Sequence, residues 1–479
     1  MIGAVHILSQ VLGGLAFALL LPAAVGLATG ETAAAEAYLA VGGLVGFVAG
    51  AMFFALQGRR RRLDRVAGFL LVVLVWVVPP LIAAVPIARA AGVDYVTALF
   101  EAVSGYTTTG ATAFETLRPL GFSGTFFRAE LQWLGGLMTL ITIVTVLAPS
   151  GIGGMVSSNL ALIASPDDPF GRLLGGVRRV LAAYGATTIL CGLLLLASGI
   201  RPFDAVCLAL ATVSTGGFVP IDGSLADYDN PFAEVVIAVF MLVGATSILW
   251  HRMIVEGRWQ LVRLHRESYF VIGVAVLAGL AYAAAFLRTG EGGAGTAILD
   301  GLFAGASLVS TTGFEPRPGG LGALPVTLVL LLALIGGGTI STAGGIKYYR
   351  VGGTLVQSLD EMRRLVYPHA VRRHRFGTVT YDLDLMKGLW SHLAAAFAVI
   401  AIAALLLALS LPDFEASLVA AVSAFSNIGP LYAAGWQPHW PAYPDFDALS
   451  KLVMAATMIL GRIEVLALFA AFNLAYWRS

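Results

Sequence analysis

Residues 94–114, which read DYVTALFEAVSGYTTTGATAF, decide the fold that the sequence predicts. An acidic residue, Asp94, precedes about a dozen mostly apolar residues, a pattern that predicts a short amphipathic helix ending near Gly105. A run of threonines followed by glycine then predicts a polar turn centred on Thr109. One helix and turn of this kind would be weak evidence for any particular architecture.

The same order of acidic residue, apolar segment and small polar turn returns three more times. The further copies read DAVCLALATVSTGGF at residues 204–218, DGLFAGASLVSTTGF at residues 300–314 and DFEASLVAAVSAFSNIGP at residues 413–430. Four copies spaced about a hundred residues apart are the signature of an internally repeated architecture.

Composition places these repeats in a membrane. Of the 479 residues, 58% are hydrophobic and 12% are charged, and the mean hydropathy is +0.85. Soluble domains carry about 25% charged residues. Several apolar runs reach the roughly 20 residues that cross a hydrocarbon core of about 30 Å, so we expect an all-α integral membrane protein. Cys191 and Cys207 lie in apolar segments and predict neither a disulfide framework nor a metal site.

The predicted organisation is a leading two-helix hairpin at residues 1–65, followed by four pseudo-symmetric repeats around a central pore. The repeats cover residues 66–170, 171–266, 267–376 and 377–479. In each, an outer helix crosses the membrane and an inner helix returns, while the short helix between them re-enters without spanning. The acidic residues Asp94, Asp204, Asp300 and Asp413 are interpreted as N-caps of the short helices.

Basic residues predict the orientation of these helices. The positive-inside rule assigns the loop after the hairpin, and with it the amino terminus, to the cytoplasm. An anionic-lipid or nucleic-acid patch is the competing interpretation, and we expect no nucleic-acid partner. The arginines of the predicted cytoplasmic loops are Arg59, Arg60, Arg61, Arg62, Arg65, Arg172, Arg178, Arg179, Arg252, Arg258, Arg263, Arg266, Arg363, Arg364, Arg372, Arg373 and Arg375.

The repeated turns predict a site for a desolvated monovalent cation. A turn at membrane depth must be buried in protein or line a water-filled path, because hydrocarbon cannot satisfy its backbone. Glycines allow positive φ, so four turns around one axis can form a ring of carbonyl oxygens, supplemented by threonine hydroxyls. The alternative is four helix-capping turns without an ion. The candidate ligands are Thr108, Thr109, Gly110, Ser214, Thr215, Gly216, Thr311, Thr312, Gly313, Asn427, Ile428 and Gly429. Glu101, Glu115, Asp222 and Glu315 are expected to add negative potential at the outer mouth.

A glycine-rich break in the third inner helix predicts a gate. Residues 336–345 read GGGTISTAGG, and five glycines in ten residues, at roughly 1 kcal/mol each relative to alanine, are incompatible with a stable helix interior. A kink that permits close helix packing is the alternative to a flexible plug. Arg462 is a lone cation in an apolar run and is a functional candidate for that reason, whereas Lys347 is interpreted as a snorkelling anchor. The predicted gate residues are Gly336, Gly337, Gly338, Gly344, Gly345, Lys347 and Arg462.

These motifs resemble the Trk/Ktr/HKT superfamily of potassium transporters over nearly the whole chain. The four turns are similar to its filter segments, QWLGG at residues 132–136 to its first inner helix, and residues 336–347 to its intramembrane gate, with Ile340 as a departure. The leading hairpin is similar to the bacterial TrkH branch. The fourth turn departs from the others at Asn427 and Ile428. In plant members of the superfamily, a serine in place of the first filter glycine is associated with sodium transport. This chain has Gly110 at that position, so the resemblance favours potassium.

The resemblance implies a gated, channel-like path for potassium uptake across the bacterial cytoplasmic membrane. It further implies a homodimer, a cytosolic nucleotide-binding TrkA-like regulator, no bound cofactor besides the transported K⁺, and an Arg462 that faces the pore near the gate. A proton- or sodium-coupled symporter, or a weakly selective K⁺/Na⁺ transporter, remains the alternative. An enzyme is not expected, because the sequence contains neither an HExxH nor a GxSxG motif.

Overall fold

The computed structural model describes residues 2–57, 65–144, 169–289, 293–366, 375–376, 379–380 and 383–463. The predicted leading hairpin is present, formed by helices α1 (Ile2–Ala18), α2 (Leu20–Thr29) and α3 (Thr32–Ala55). Helices α1 and α2 follow each other closely enough that Gly3–Thr29 counts as one span. The arginine cluster at residues 59–62 lies outside the described residues.

The first repeat contains α4 (Arg65–Ala91), the short helix α5 (Tyr95–Tyr106) and α6 (Gly121–Thr142). Helix α5 is the predicted pore helix, and at 12 residues it is too short to cross a bilayer. Gly135 of α6 permits close packing on α5, because a Cβ at this position would collide with the carbonyl oxygen of Tyr106.

The second repeat departs from the prediction in its inner helix. Its elements are α7 (Pro169–Ala197), the pore helix α8 (Pro202–Val213), α9 (Pro231–Ala245), α10 (Ile248–Val255) and α11 (Trp259–Leu264). We expected one inward helix over residues 232–249, but α9 and α10 meet at an angle of 104°.

The physical reason for this bend lies in the link between α9 and α10. Thr246 and Ser247 have extended backbone conformations, so the helical ladder is interrupted there. The freed groups bond to the glycine-rich break of the third repeat: Gly338 N donates to Ala245 O at 2.8 Å, and Ile248 N donates to Ile340 O at 2.9 Å. The broken backbone is therefore satisfied within the protein, as a membrane environment demands.

The third and fourth repeats complete the architecture. The third contains α12 (Arg266–Thr289), the pore helix α13 (Ala294–Val309), α14 (Val326–Ile335) and α15 (Tyr348–Val366). A two-stranded hairpin, β1 (Arg375–Phe376) with β2 (Val379–Thr380), precedes the fourth repeat. That repeat contains α16 (Leu383–Leu407), the pore helix α17 (Phe414–Ser426) and α18 (Ala448–Ile463).

The predicted N-caps are confirmed in two of the four pore helices. Asp94 accepts hydrogen bonds from the backbone N–H groups of Val96 and Thr97, and Asp413 accepts one from Ala416. The prediction is wrong for Asp204, which lies in the first turn of α8 and pairs with Arg201 at 3.1 Å.

The prediction is also wrong for Asp300, which lies inside its pore helix. Helix α13 starts earlier than the repeat suggests, at Ala294, so Asp300 is an interior position, where it pairs with Arg317.

Among the described residues, six helices are long and apolar enough to cross a membrane, or seven if α9 and α10 form one broken span. The fold is thus an all-helical bundle of four outer helix–pore helix–inner helix units behind a leading hairpin.

A carboxylate in the hairpin ties it to the first repeat. Glu31, in the link between α2 and α3, accepts hydrogen bonds from Phe122 N at 2.7 Å, Ser123 N at 3.0 Å and Ser123 Oγ at 2.6 Å. These donors belong to the first turn of α6, where backbone N–H groups lack intrahelical partners and a negative charge is stabilised. Glu31 therefore acts as an N-terminal cap supplied from another domain.

We predict that Glu31→Ala lowers the free energy of unfolding by about 2 kcal/mol, since hydrogen bonds to a charged group contribute about 1.5–3 kcal/mol. Thermal melting of the full chain in detergent measures the effect. Glu36→Ala is the matched control, because Glu36 is exposed on the same hairpin. Equal melting temperatures for the two variants would contradict an interdomain cap at Glu31.

Candidate ion-binding site

Each pore helix is followed, within two residues, by a residue with left-handed backbone conformation. The φ angles are 55° for Thr108, 55° for Thr215, 62° for Thr311 and 55° for Asn427. This conformation is unfavourable for β-branched residues, so its recurrence at threonine is a structural requirement of the turn rather than a local accident. These four residues define the true register of the repeat.

That register corrects the sequence prediction in the second turn. Gly217, with a φ of 84°, is the counterpart of Gly110 at 79° and Gly313 at 81°. Gly216, which we expected at this place, does not have a positive φ, and neither does Gly429. The sequence was ambiguous because the second turn contains two adjacent glycines.

The four turns contact one another in cyclic order. A Cβ on Gly110 would collide with the carbonyl oxygen of Gly216, and one on Gly217 with that of Thr312. In the same way, a Cβ on Gly313 would lie 2.8 Å from Pro430 Cδ. The circuit closes between the fourth and first turns. There, Gly429 N donates to Thr109 O at 2.6 Å. We call this closed arrangement the four-turn ring; it comprises residues 109–110, 216–217, 312–313 and 428–429.

The hydroxyl groups near the ring are engaged in local hydrogen bonds. Thr109 Oγ1 lies 2.8 Å from Thr107 Oγ1 and accepts from Asn427 Nδ2 at 3.1 Å. Thr312 Oγ1 lies 2.7 Å from Ser310 Oγ, and Thr215 Oγ1 donates to the Ser214 carbonyl at 2.7 Å. These bonds hold the hydroxyl groups in place and fix the turn geometry.

One residue that positions the ring was not assigned a role from the sequence. Gln132 is buried on α6; its Nε2 donates to Gly216 O at 2.5 Å, and its Oε1 accepts from Phe218 N at 3.4 Å. Because Gly216 and Phe218 flank Gly217, the amide braces the second turn on both sides. An uncharged polar side chain within a mostly apolar inner helix was the available signal.

An outer vestibule of about 260 Å³ opens directly onto the ring. Its lining includes Gly110, Gly217 and Gly313 together with the carboxylates Glu115, Asp222 and Glu315. Burial raises the pKa of Glu315 to about 7. These three carboxylates therefore line one vestibule beside the ring, and that the vestibule faces the outside of the membrane stays a prediction.

Glu101, expected in the same group, has a different role. It is fully buried in α5, forms an ion pair with Arg128 at 2.6 Å and accepts from Ala113 N at 2.9 Å. Arg128 in turn lies 3.9 Å above the ring of Phe218. The prediction of an outer-mouth charge is wrong for Glu101, since Arg128 neutralises it. The pair instead holds the segments that follow the first and second turns.

The glycine-rich break lies beneath the ring, at the carboxyl ends of the pore helices. Gly336 and Gly345 have φ angles of 67° and 76°, and the chain folds back on itself, with Ile346 N donating to Leu334 O at 2.7 Å. Gly344 N donates to Thr311 Oγ1 at 2.6 Å, directly below the third turn. Residues 336–345 are called the gate loop below.

The gate loop also contacts the second and fourth repeats. Thr342 Oγ1 donates to Gly244 O at 3.0 Å and lies 3.2 Å from Val213 O, at the end of the pore helix α8. A Cβ on Gly344 would collide with the carbonyl of Ser426, at the end of α17. The glycines are therefore required because the loop packs directly against the surrounding backbone. A kink within the third inner helix would not by itself explain them.

Arg462 joins the gate loop to the first repeat. Its side chain is buried, Nε donates to Thr107 O at 2.7 Å, and one terminal nitrogen donates to Thr342 O at 2.6 Å. The other terminal nitrogen donates to the Thr108 hydroxyl.

Lys347 does not snorkel. It is only 5% exposed, has a φ of 82° and donates through Nζ to the carbonyl of Ala343 inside the gate loop. Lys347, Arg350 and Arg462 all line a small cavity of about 20 Å³ beneath the gate loop. The interpretation of Lys347 as an interfacial anchor is wrong, because the folded loop carries its ammonium group inward.

The geometry defines a class of protein: a helical membrane protein in which four pore helices direct their carboxyl ends at one ring of backbone oxygens. The chain matches the TrkH family of cation transport proteins over residues 45–269 and 289–477. It therefore belongs to that family.

Individual relatives agree with this assignment. The Trk system potassium uptake protein TrkH of Escherichia coli K12 is 29% identical over 426 residues, 86% of each chain. The protein of the same name from Halomonas elongata is 28% identical over 447 residues, 89% of each chain. The crystal structure of the potassium transporter TrkH from Vibrio parahaemolyticus matches with a TM-score of 0.87 at 25% identity, covering 100% of this chain and 99% of that chain.

We predict that Glu101→Gln destabilises the protein by about 3–5 kcal/mol, because it leaves the Arg128 guanidinium buried without its counter-charge. Melting in detergent measures the loss. Glu115→Gln provides the control, since Glu115 is an exposed carboxylate of the same vestibule. A melting temperature for Glu101→Gln as high as that of the control would show that the buried pair does not hold the turns.

Proposed function

We propose that the protein takes up potassium across the bacterial cytoplasmic membrane through a gated, channel-like pore whose selectivity filter is the four-turn ring. The observation that carries this proposal is the cyclic contact of four turns, each placed by a pore helix of its own. The names of the relatives, which are potassium uptake proteins, support the choice of ion.

The ring favours a monovalent cation that has lost its water. Backbone carbonyls can replace the hydration shell of such an ion, and the carboxyl ends of the pore helices add partial negative charge. The ring residues themselves carry no carboxylate, so a divalent ion would lack the anionic ligands it usually requires. The vestibule carboxylates raise the local cation concentration without entering the ring.

The gate loop and Arg462 account for a closed state. The loop lies on the path beneath the ring, and the guanidinium of Arg462 places a fixed positive charge next to it. Opening requires the hydrogen bonds of Thr342 and Arg462 to the surrounding backbone to break together. The glycines of the loop permit the large changes of φ and ψ that such a motion needs.

We propose that the chain forms a homodimer and that a cytosolic TrkA-like nucleotide-binding subunit binds it and controls the motion of the gate loop. The relatives are named as parts of a Trk system, which supports a multi-component assembly. The proposed topology places the amino terminus and the arginine-rich loops in the cytoplasm, where such a subunit would bind.

Coupled symport with protons or sodium is the alternative. Proton coupling ordinarily uses a titratable side chain on the transport path, and the ring residues include none. Passive conduction is therefore the better-supported mechanism.

The reversal potential of the purified protein in a planar bilayer tests this proposal, with potassium on one side, sodium on the other and no proton gradient. A reversal near the potassium limit supports a selective passive pore. Reversal near zero would show a poorly selective cation path. Current that requires a proton gradient would replace the proposal with symport.

We predict that Arg462→Ala raises resting ⁸⁶Rb⁺ flux into proteoliposomes several-fold, because the gate loop loses two of its anchors and the path loses a positive charge. Lys451→Ala is the control: it removes a buried cation from the same helix, but that lysine contacts Thr97 and Pro444 rather than the gate loop. Unchanged or lower flux in Arg462→Ala would rule out the gating role.

A further inference from the structure

A second, larger cavity lies beside the gate loop and away from the ring. Its volume is about 540 Å³, within the roughly 300–1,000 Å³ of typical ligand sites. It is bounded by α7 on one side and by the bent inner helix α9–α10 on the other, with residues 340–342 of the gate loop at its inner end. Neither the ring nor the proposed ion path uses this space.

The α7 wall of the cavity is one face of a helix. Its residues lie three or four positions apart, except for the last two, which are adjacent, so they form a continuous stripe: Gly176, Arg179, Ala183, Ala186 and Thr187. Arg179 lies near one end of this wall and the small side chains of Ala183 and Ala186 follow it, while Val180 and Tyr184 of the same helix also line the cavity. The stripe therefore offers a charged entrance and a narrow apolar channel.

The hydroxyl groups that line the cavity already donate hydrogen bonds to backbone carbonyls of the protein. Thr187 Oγ1 donates to Ala183 O at 2.9 Å, Thr246 Oγ1 to Leu242 O at 2.8 Å and Ser341 Oγ to Gly338 O at 2.6 Å. A hydrophilic ligand would find little to replace its hydration there. An acyl chain fits, because it requires only apolar contact.

The entrance carries an excess of positive charge. Arg179 and Arg252 line the cavity, and Arg258 follows α10 closely. Glu256 is the acidic residue among them, and ion pairs join it to Arg252 at 2.5 Å and to Arg258 at 3.0 Å. The hydrogen bond from Arg252, together with the charges of Arg252, Arg258 and Arg179, lowers the pKa of Glu256, so three guanidinium groups act around one carboxylate.

The adjoining helix α11 has the composition of a membrane-interface segment. Trp259 and Leu264 are 60% and 53% exposed, and Arg263 lies beside Leu264 on the same short helix. Tryptophan and arginine at the end of a spanning segment are typical of the headgroup level. The entrance to the cavity is thus placed where lipid headgroups lie.

We propose that this cavity binds an anionic phospholipid of the cytoplasmic leaflet, with its phosphate between Arg179 and Arg252 and one acyl chain extending towards the gate loop. Basic pockets between transmembrane helices on the cytoplasmic side suit such headgroups. The proposal rests on the orientation given under Proposed function, but not on ion selectivity or gating.

The acyl chain would contact the gate loop where that loop is anchored to the second repeat. Ile340 lines the cavity, and its carbonyl accepts the hydrogen bond from Ile248 N at the start of α10. Arg252 belongs to the same short helix, so headgroup and acyl chain act on one rigid element. Bound lipid therefore supports the loop in the position that the structure shows.

Native mass spectrometry of the full chain tests the proposal, with the protein extracted into detergent and offered phosphatidylglycerol and phosphatidylcholine in equal amounts. We expect one phosphatidylglycerol per chain to be retained in preference to phosphatidylcholine. Arg252→Glu should lower retention roughly tenfold or more, given the contribution of each basic residue to anionic-lipid binding. Ala186→Trp should do the same without a change of charge, by filling the apolar channel.

Two control variants separate this site from general effects of charge and size. Arg288→Glu reverses an exposed arginine in the last turn of α12, outside the cavity lining. Ala182→Trp adds the same bulk at an exposed position of α7 outside the stripe. Both should retain phosphatidylglycerol as the parent does, and melting temperatures confirm that every variant is folded.

Four results would overturn the proposal. Equal retention of the two lipids would mean unspecific apolar occupancy, and undiminished phosphatidylglycerol binding in Arg252→Glu or in Ala186→Trp would place the lipid elsewhere. Displacement of the lipid by inorganic phosphate, without any effect of Ala186→Trp, would indicate an anion site that does not hold an acyl chain. Efficient disulfide cross-linking of Ala186→Cys between two copies would show that the partner subunit covers this face.

Discussion

Backbone groups that lie in a membrane without regular secondary structure must find partners inside the protein, and the rest of this structure depends on that constraint. Six segments of the described chain break the helical ladder near the centre of the fold: the four turns, the gate loop and the link between α9 and α10. They satisfy each other, as the bonds from Gly429 N to Thr109 O and from Gly344 N to Thr311 Oγ1 show. The fourfold repeat is therefore a requirement, because one turn alone would leave its carbonyls and amides unmet.

The same constraint links the glycine-rich loop at residues 336–345 to the four-turn ring. Arg462, whose charge alone would cost about 2.5–3.5 kcal/mol at the centre of a membrane helix, is stabilised by carbonyl groups of Thr107 and Thr342. One of these belongs to a pore-helix end and the other to the gate loop. Movement of the loop would remove a partner from this buried cation, so Arg462 favours the arrangement that the structure shows. Arg462 adds to the other bonds that hold the loop, such as those from Gly338 N to Ala245 O and from Gly344 N to Thr311 Oγ1.

Much of the fold could be predicted from the sequence, because it depends on repetition and hydropathy. The hairpin, the four pore helices and the glycine-rich break lie where the pattern indicates. The errors arise where tertiary contacts override local pattern. Glycine pairs do not reveal which member takes positive φ, so Gly217 was missed in favour of Gly216. The bend between α9 and α10 depends on Ile340 and Gly338, which lie far away in sequence.

Charged residues show the same limit. Sequence position placed Glu101 at the outer mouth and Lys347 at the membrane surface, because an acidic or basic residue near a helix end is usually solvated. The structure buries both: Glu101 is paired with Arg128, and Lys347 donates to the carbonyl of Ala343. The partner that makes each burial possible comes from another helix or from a folded loop. Such pairing has no local sequence signal, whereas Asp94 and Asp413 cap their own helices and were predicted correctly.

The central claim is that the four turns together bind one desolvated monovalent cation. Anomalous diffraction from crystals grown in rubidium measures this directly, since Rb⁺ substitutes for K⁺ and its position is located independently of the protein. The account predicts an anomalous peak on the axis enclosed by Gly110, Gly217, Gly313 and Gly429. Ordered rubidium elsewhere in the protein, with no peak inside the ring, would contradict it.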